Sequence, residues 1–262
     1  MSDSVGAFLL GAGAGILASA IAVLAWTRLR QRRARSPDAG RRADLAAKIA
    51  HELKNPIMSI KGLASTGTRL YESMSDEERL EFFRLIHTEA TRLKLVADET
   101  STALEIEAGR LTYDLRPENL GKLVQEVAWR TPVGEHAMVV EVEDDLTVPL
   151  DRTRFAEVLT NLIDNASKFS PPDAPIEVRA HRGPNGGAVV EVADRGPGIP
   201  PEQRQAVFER FAAWRPAGYE DTPGAGLGLY ISRAHLKAHG ARIDIEEEPE
   251  MGTMLRVTLS GG

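Results

Sequence analysis

Residues Val5 to Trp26, VGAFLLGAGAGILASAIAVLAW, make a run of 22 residues without a charge. As a helix rising about 1.5 Å per residue, the run would reach roughly 33 Å, enough to cross a hydrocarbon core. Residues 1–27 are therefore expected to be a transmembrane segment. A cleavable leader is the competing reading, because ASA at 18–20 resembles a cleavage site, but the residues before the run carry Asp3 and no base. Small residues at Ala7, Gly11, Gly15 and Ser19 share one helix face, where two backbones could approach closely. Arg28, Arg30, Arg32, Arg33, Arg35, Arg41 and Arg42 follow against Asp38 alone, so residues 28–42 carry +6; the chain totals −6, so the remainder carries −12.

A basic flank belongs on the cytoplasmic side, so the expectation is a single-pass protein of the inner or plasma membrane with residues 28–42 as a juxtamembrane linker. Such arginines can also hold anionic lipid. The acidic remainder argues against a nucleic-acid surface. With no cysteine, no disulfide or thiolate site is possible.

From Leu45 the apolar positions Leu45, Ile49, Leu53, Ile57, Ile60, Leu63 and Leu70 recur mostly three or four apart, a stripe on one side of a helix. His51 lies two residues from both Ile49 and Leu53, about 160° to 200° around the helix from the stripe, and so faces outward. Pro56 removes one backbone hydrogen bond close by. Ser75-Asp76-Glu77-Glu78 announces a second helix through a capping box. Its seam runs Leu80, Phe83, Ile86, Ala90, Leu93, Ala97, Thr100 and Leu104 at a spacing near 3.5, and Gly109 supplies a stop. Two helices with one apolar seam each make a thin core, so the hairpin is expected to pair with a second copy as a dimeric four-helix bundle.

His51 has several readings. H-E-x-x-H zinc chemistry fails because position 55 is Asn. An ordinary surface histidine stays open, as does a nucleophile: a free imidazole, with a pKa of about 6.5, is mostly uncharged at neutral pH. Glu52 beside it could take the ring proton as a bond to phosphorus forms.

After Gly109 short β-type runs (111–115, 138–142, 176–180, 188–193, 242–246, 253–259) alternate with helices expected near 118–129, 151–168, 201–209 and 228–239. This is a mixed α/β layer domain of ordinary size, and the whole chain reads as α+β. In AEVLTNLIDNASKF, Glu157, Asn161 and Asn165 share a helix face; stacked amides can hold magnesium through oxygen, and Lys168 can meet a phosphate. A plain solvated helix would not usually carry two asparagines, poor helix formers, in its middle. VVEVADRGPGIP is a strand ending in Asp194, an acid able to accept from an exocyclic amine, before Gly196 and Gly198, which let a flat base approach the backbone. In PGAGLGLYISRAHLKAHG, the glycine loop Gly224, Gly226, Gly228 runs into an amphipathic helix whose free amides and dipole suit an anion.

From about Leu45 to Leu259 the chain resembles a bacterial sensor histidine kinase. IAHELKNPI is similar to the family's H box, NLIDNASKF to its N box, DRGPGIP and GAGLGLYI to its two glycine boxes, and VFERF to its phenylalanine box, all in family order. The resemblance implies a dimerisation and phosphotransfer hairpin at 43–112 and a catalytic ATP-binding domain of the GHKL type, a two-layer α/β sandwich, at 113–262. It implies His51 as phosphorylated residue, Glu52 as its base and Asn55 as a residue orienting water for dephosphorylation. It further implies Asn165 with Asn161 as magnesium ligands, Lys168 as a phosphate contact and Asp194 as the adenine reader. Gly196, Gly198, Gly226 and Gly228 would be the close-approach glycines.

Ala225 stands where the family often has a hydroxyl, and the lid expected at 212–223 matches the family poorly. The implied function uses ATP and Mg2+ in a homodimer, with a response regulator receiver domain as partner. Two rival readings fit parts of the same sequence. An ATP-driven conformational machine would carry a glutamate where Asn161 stands. A non-catalytic membrane scaffold would bind nucleotide or regulator without transferring phosphate.

Overall fold

The computed structural model describes residues 37–220, 222–246 and 252–261. The apolar run Val5 to Trp26 and most of the arginine-rich segment lie outside the described residues. Among the described residues no helix is long and apolar enough to cross a membrane. The chain divides between Asn55 and Pro56 into two compact units, and helix α1, Pro37–Leu70, contributes to both.

In the first unit Ile49, Glu52 and Leu53 are half-buried, whereas His51, Lys54 and Asn55 are exposed. Ile49 and Leu53 of the apolar stripe are thus more sheltered than His51, as the helical period demands, whereas Ile57 and Leu70 of the same stripe are 48% and 41% exposed.

In the second unit the end of α1 passes through a short turn, Tyr71–Ser73, into helix α2, Asp76–Glu107. Ser75 caps α2: its Oγ accepts from the Glu78 amide at 3.2 Å, and its own amide donates to Glu78 Oε2 at 2.8 Å. Two otherwise orphaned donors are satisfied reciprocally, and Asp76, Glu77 and Glu78 complement the positive end of the helix dipole. Ser75→Ala is expected to cost about 1 kcal/mol, read as a lower urea midpoint at unchanged slope. An unmoved midpoint would show that the cap contributes nothing. Gly109, at φ +61, ends the helix as expected.

Within the chain α2 buries Val96, Thr100 and Ala103. Of the seam expected from the heptad spacing only Thr100 is among them: Leu80, Phe83 and Leu104 are 51%, 64% and 42% exposed. At about 100° per residue the two faces lie roughly 90° apart, so α2 has two apolar faces and this chain covers one of them.

The remaining elements are β1 (Arg116–Asn119), α3 (Leu120–Arg130), β2 (Met138–Val142), β3 (Thr147–Leu150), α4 (Arg152–Phe169), β4 (Ile176–Arg182), β5 (Ala188–Asp194), α5 (Gly228–Ala238), β6 (Arg242–Glu246) and β7 (Thr253–Leu259). Five strands form a sheet in the order β2-β4-β5-β7-β6, parallel between β2 and β4 and antiparallel elsewhere. On β4, Ile176, Val178 and Ala180 point into the core, while Glu177 and Arg179 alternate to the other face. Opposite those apolar residues lie Leu120, Leu123 and Val124 of α3 and Phe155, Leu159 and Leu162 of α4, all at most 2% exposed. The result is the two-layer sandwich, with the helices packed over one face of the sheet.

Two local expectations are corrected, and one strand is added. Residues 111–115 form no strand; the strand is β1, immediately after them. The helix expected at 201–209 is a series of turns with a single 3-10 turn, Ala206–Phe208. There the adjacent Val207 and Phe208 are both buried, which fixes the local path by packing instead of by helical period. Strand β3 carries Pro149 and was not foreseen. It pairs with β1 as a separate two-stranded ribbon in which Pro149 faces Pro117, so each proline withholds a donor where the ladder is shortest.

Candidate nucleotide site

Helix α4 starts cleanly because Asp151 caps it, its Oδ1 accepting from the Arg154 amide at 3.1 Å. Leu159, Leu162, Ile163 and Ala166 face the core, and that fixes the opposite exposure of the helix. Asn161, Asp164, Asn165 and Lys168 then line one cavity. Gly198 from beyond β5, Asp194 at the end of β5, and Gly224, Gly226 and Gly228 before or at the start of α5 line the same cavity. The three stretches singled out in the sequence thus meet.

Asp194 is 7% exposed, and its Oδ1 accepts from the Gly196 amide at 2.7 Å. Burial pushes its carboxyl up to about 6, opposed by hydrogen bonds from the Gly196 and Thr253 amides. Gly196 does not line the cavity; it sits beneath Asp194, where an added Cβ would stand 2.5 Å from the Phe169 carbonyl oxygen. Gly226, at φ +69, is held against the backbone of Ala212, whose oxygen would lie 2.5 Å from an added Cβ. These two glycines are required by close backbone approach.

Asn161 donates from Nδ2 to the Gly228 carbonyl at 3.4 Å and the Ser232 hydroxyl at 3.5 Å, leaving its amide oxygen as the uncommitted atom. With Asn165 one turn on, the donor set is amide oxygen, a hard ligand suited to magnesium. Among the described residues no group of three or more histidine, aspartate or glutamate side chains is placed to hold a metal. The residues present therefore fit an ion that arrives with a polyphosphate supplying further oxygens. Lys168 is engaged with Asp164 one turn away.

Glu157, on the same face of α4 in the sequence reading, is diverted from the cavity. Arg154 donates to both its carboxylate oxygens at 3.1 Å, and His235 Nε2 donates to Oε2 at 3.1 Å. Burial raises its carboxyl, but these bonds outweigh that and hold it below the usual carboxylate range. His235 is wholly buried on α5, and its other nitrogen, Nδ1, accepts from the Tyr113 hydroxyl at 2.9 Å.

The cavity is also lined by Ala212, Trp214, Arg215, Pro216 and Pro223, all from the segment expected to be the lid. Arg215 gathers it, donating to the carbonyls of Ala212 at 3.1 Å, Trp214 at 2.8 Å and Gly224 at 3.0 Å. Trp214 packs against the core and lines the cavity.

His51, Glu52 and Asn55 belong to the first unit, His51 and Asn55 exposed and Glu52 half-buried, so an imidazole with a carboxylate neighbour is open to solvent. Sequence reasoning missed Glu99, Trp214 and Arg215 at the cavity and the Tyr113–His235–Glu157 chain behind it. For Glu99 no signal existed, since an acid in an amphipathic helix reads as solvated.

Residues 41–109 match the family described as His Kinase A (phospho-acceptor) domain, and residues 150–261 match Histidine kinase-, DNA gyrase B-, and HSP90-like ATPase. The sensor histidine kinase YkoH of Bacillus subtilis is 32% identical over 213 residues, covering 80% of this chain and 46% of its own length. Full-length ShkA in complex with AMPPNP superposes with a TM-score of 0.59 at 27% identity, over 83% of this chain and 45% of ShkA. The histidine kinase ThkA in complex with the response regulator protein TrrA gives a TM-score of 0.62 at 23% identity, over 90% of this chain and 67% of that one. The chain spans less than half the length of YkoH and of ShkA.

Proposed function

Because the chain belongs to the sensor histidine kinases, with a phospho-acceptor hairpin and an ATPase layer in one polypeptide, we propose that it phosphorylates its own His51 from ATP and passes the phosphoryl group to an aspartate of a response regulator. The observation that carries this reading is the convergence on one cavity of a buried acid for the base, paired amides and an ammonium for the phosphates, and a glycine loop at a helix start.

Asp194 accepts from the exocyclic amine of adenine, and the flanking backbone lets the flat ring lie close. The free amides at the start of α5 face the phosphates, and Lys168 meets the polyphosphate once released from Asp164. A magnesium ion carried in with the nucleotide would be held by Asn161 and Asn165 and would neutralise phosphate charge. His51 is the nucleophile: a ring nitrogen attacks the γ-phosphorus, ADP leaves, and Glu52 takes the proton from the other nitrogen. Catalysis then consists mainly of positioning and charge neutralisation. Asn55 orients water for the reverse task, hydrolysis of the phosphorylated regulator.

The uncovered apolar face of α2 supports a homodimer built on the hairpin, and the expected span at Val5 to Trp26 would tether the dimer to the inner or plasma membrane by one helix per copy. In this reading the hairpin takes in 43–112 and the catalytic layer 113–262. The regulator partner draws support from ThkA, whose solved complex contains a response regulator.

Incubating the full chain with γ-labelled ATP and magnesium is expected to give a label stable in base and lost in acid, as a phosphoramidate is. Tight ATP binding without any label would replace this reading with that of a nucleotide-binding scaffold.

A further inference from the structure

The cavity holds about 110 Å³, whereas pockets for drug-sized ligands span roughly 300–1,000 Å³. A nucleoside triphosphate cannot be seated until a wall moves. One wall is formed by Ala212, Trp214, Arg215, Pro216 and Pro223; the other is α2, which reaches the cavity through Glu99.

Glu99 stands where two hollows meet, lining both the nucleotide cavity and the neighbouring cleft between α2, α3 and α4. From α4 it faces Lys168, which attracts it, and Asp164, which repels it. Across the cleft stand Glu126 and Arg130 of α3, Arg152 and Glu157 of α4, and Asp98 of its own helix. Burial lifts its carboxyl to about 7, with Lys168 pulling down and Asp164 pushing up. The next residue, Thr100, is buried with an unpartnered hydroxyl. The docking of α2 is extended by an ion pair between Glu107 and Arg210.

We propose that Glu99 gates the nucleotide pocket: with α2 docked, its carboxylate occupies the Lys168 edge of the cavity, competes with polyphosphate for that ammonium, and must withdraw before a triphosphate can bind. The proposal rests on the ATP-binding reading of this cavity. It makes the docked arrangement self-inhibiting, because the helix that brings Glu99 to the cavity belongs to the phospho-acceptor hairpin. Bound phosphates and an ionised Glu99 exclude one another by charge as well as by volume. A neutral Glu99 competes by volume alone, so the gate tightens as pH rises through 7.

The test compares the wild-type full chain with Glu99→Gln, which keeps the shape and removes the charge. At pH 8 the variant is expected to bind Mg-ATP about 5- to 10-fold more tightly, one close charge contact being worth about 1 kcal/mol. At pH 6 the ratio of the two affinities should shrink to within about twofold, since the wild-type carboxyl is then mostly protonated. Taking the ratio cancels the titration of the nucleotide and of Asp194. Adenosine, which lacks phosphates, should bind both proteins alike at pH 8, and Glu99→Ala should repeat the gain for Mg-ATP. Equal Mg-ATP affinities at pH 8 would overturn the gate while leaving the nucleotide reading intact. Weaker binding by Glu99→Gln would overturn it too and make Glu99 part of the ion site. If neither protein bound any nucleotide, the functional reading would fail and the gate with it.

Discussion

His51→Gln is expected to abolish the acid-labile label completely while leaving the chain folded. The side chain is exposed, so its exchange for another polar, helix-compatible residue should change stability by no more than about 0.5 kcal/mol. Glutamine has no ring nitrogen able to attack phosphorus, so the loss should be total and not a slowing. Incubation with labelled ATP, followed by acid and base treatment of the denatured chain, reads the result. A label persisting in this variant would place the acceptor elsewhere and leave His51 as an ordinary surface histidine.

Asp194→Asn is expected to move binding and stability in opposite directions. A hydrogen bond to a charged acceptor contributes roughly 1.5–3 kcal/mol, so replacing the carboxylate should weaken ATP binding about 10- to 100-fold. The free wild-type protein holds this carboxyl at about 6 against an ordinary 3.8. The folded state thus binds the proton more tightly than the unfolded chain does. The resulting stability cost is absent below about pH 4, grows between the two pKa values, and is fully present above about pH 6.

A separation of about two pH units corresponds to about 3 kcal/mol, the upper limit of what asparagine could recover at pH 7.5. Urea unfolding at pH 7.5 and pH 4 should show the variant more stable in the first and equal in the second. The ratio of wild-type to variant ATP affinity should fall toward one below pH 6, where the acceptor is lost. A variant no more stable at pH 7.5 would mean that burial of Asp194 carries no such cost.

What the sequence makes legible depends on period and on chemistry that repeats locally. The amides of α4, the acid at the end of β5 and the glycine loop each announce themselves within a dozen residues, and the cavity unites them. Strand β3 was hidden because Pro149 argues against a strand; its place in a detached ribbon opposite Pro117 exists only through a partner 32 positions away. The failed helix at 201–209 shows tertiary packing overriding a helical pattern, since Val207 and Phe208 are both drawn inward.

On α2 the heptad spacing located one apolar face, but the chain covers another, through Val96 and Ala103, and the two faces share Thr100 at their border. Glu99 and His235 were illegible for a common reason. Each is a polar residue on an amphipathic helix, and only the element packed against it takes it out of solvent, His235 wholly and Glu99 in part.

The hydroxyl of Tyr113 on the buried imidazole of His235 bears on where the molecule can be cut. The ATPase family match starts at residue 150, yet a polypeptide excised there would lack the whole of α3 and leave one imidazole nitrogen unanswered in the interior. The smallest autonomous nucleotide-binding fragment should therefore begin no later than Thr112. Residues Ala108 to Thr112 are then the whole of the connection between α2 and that fragment.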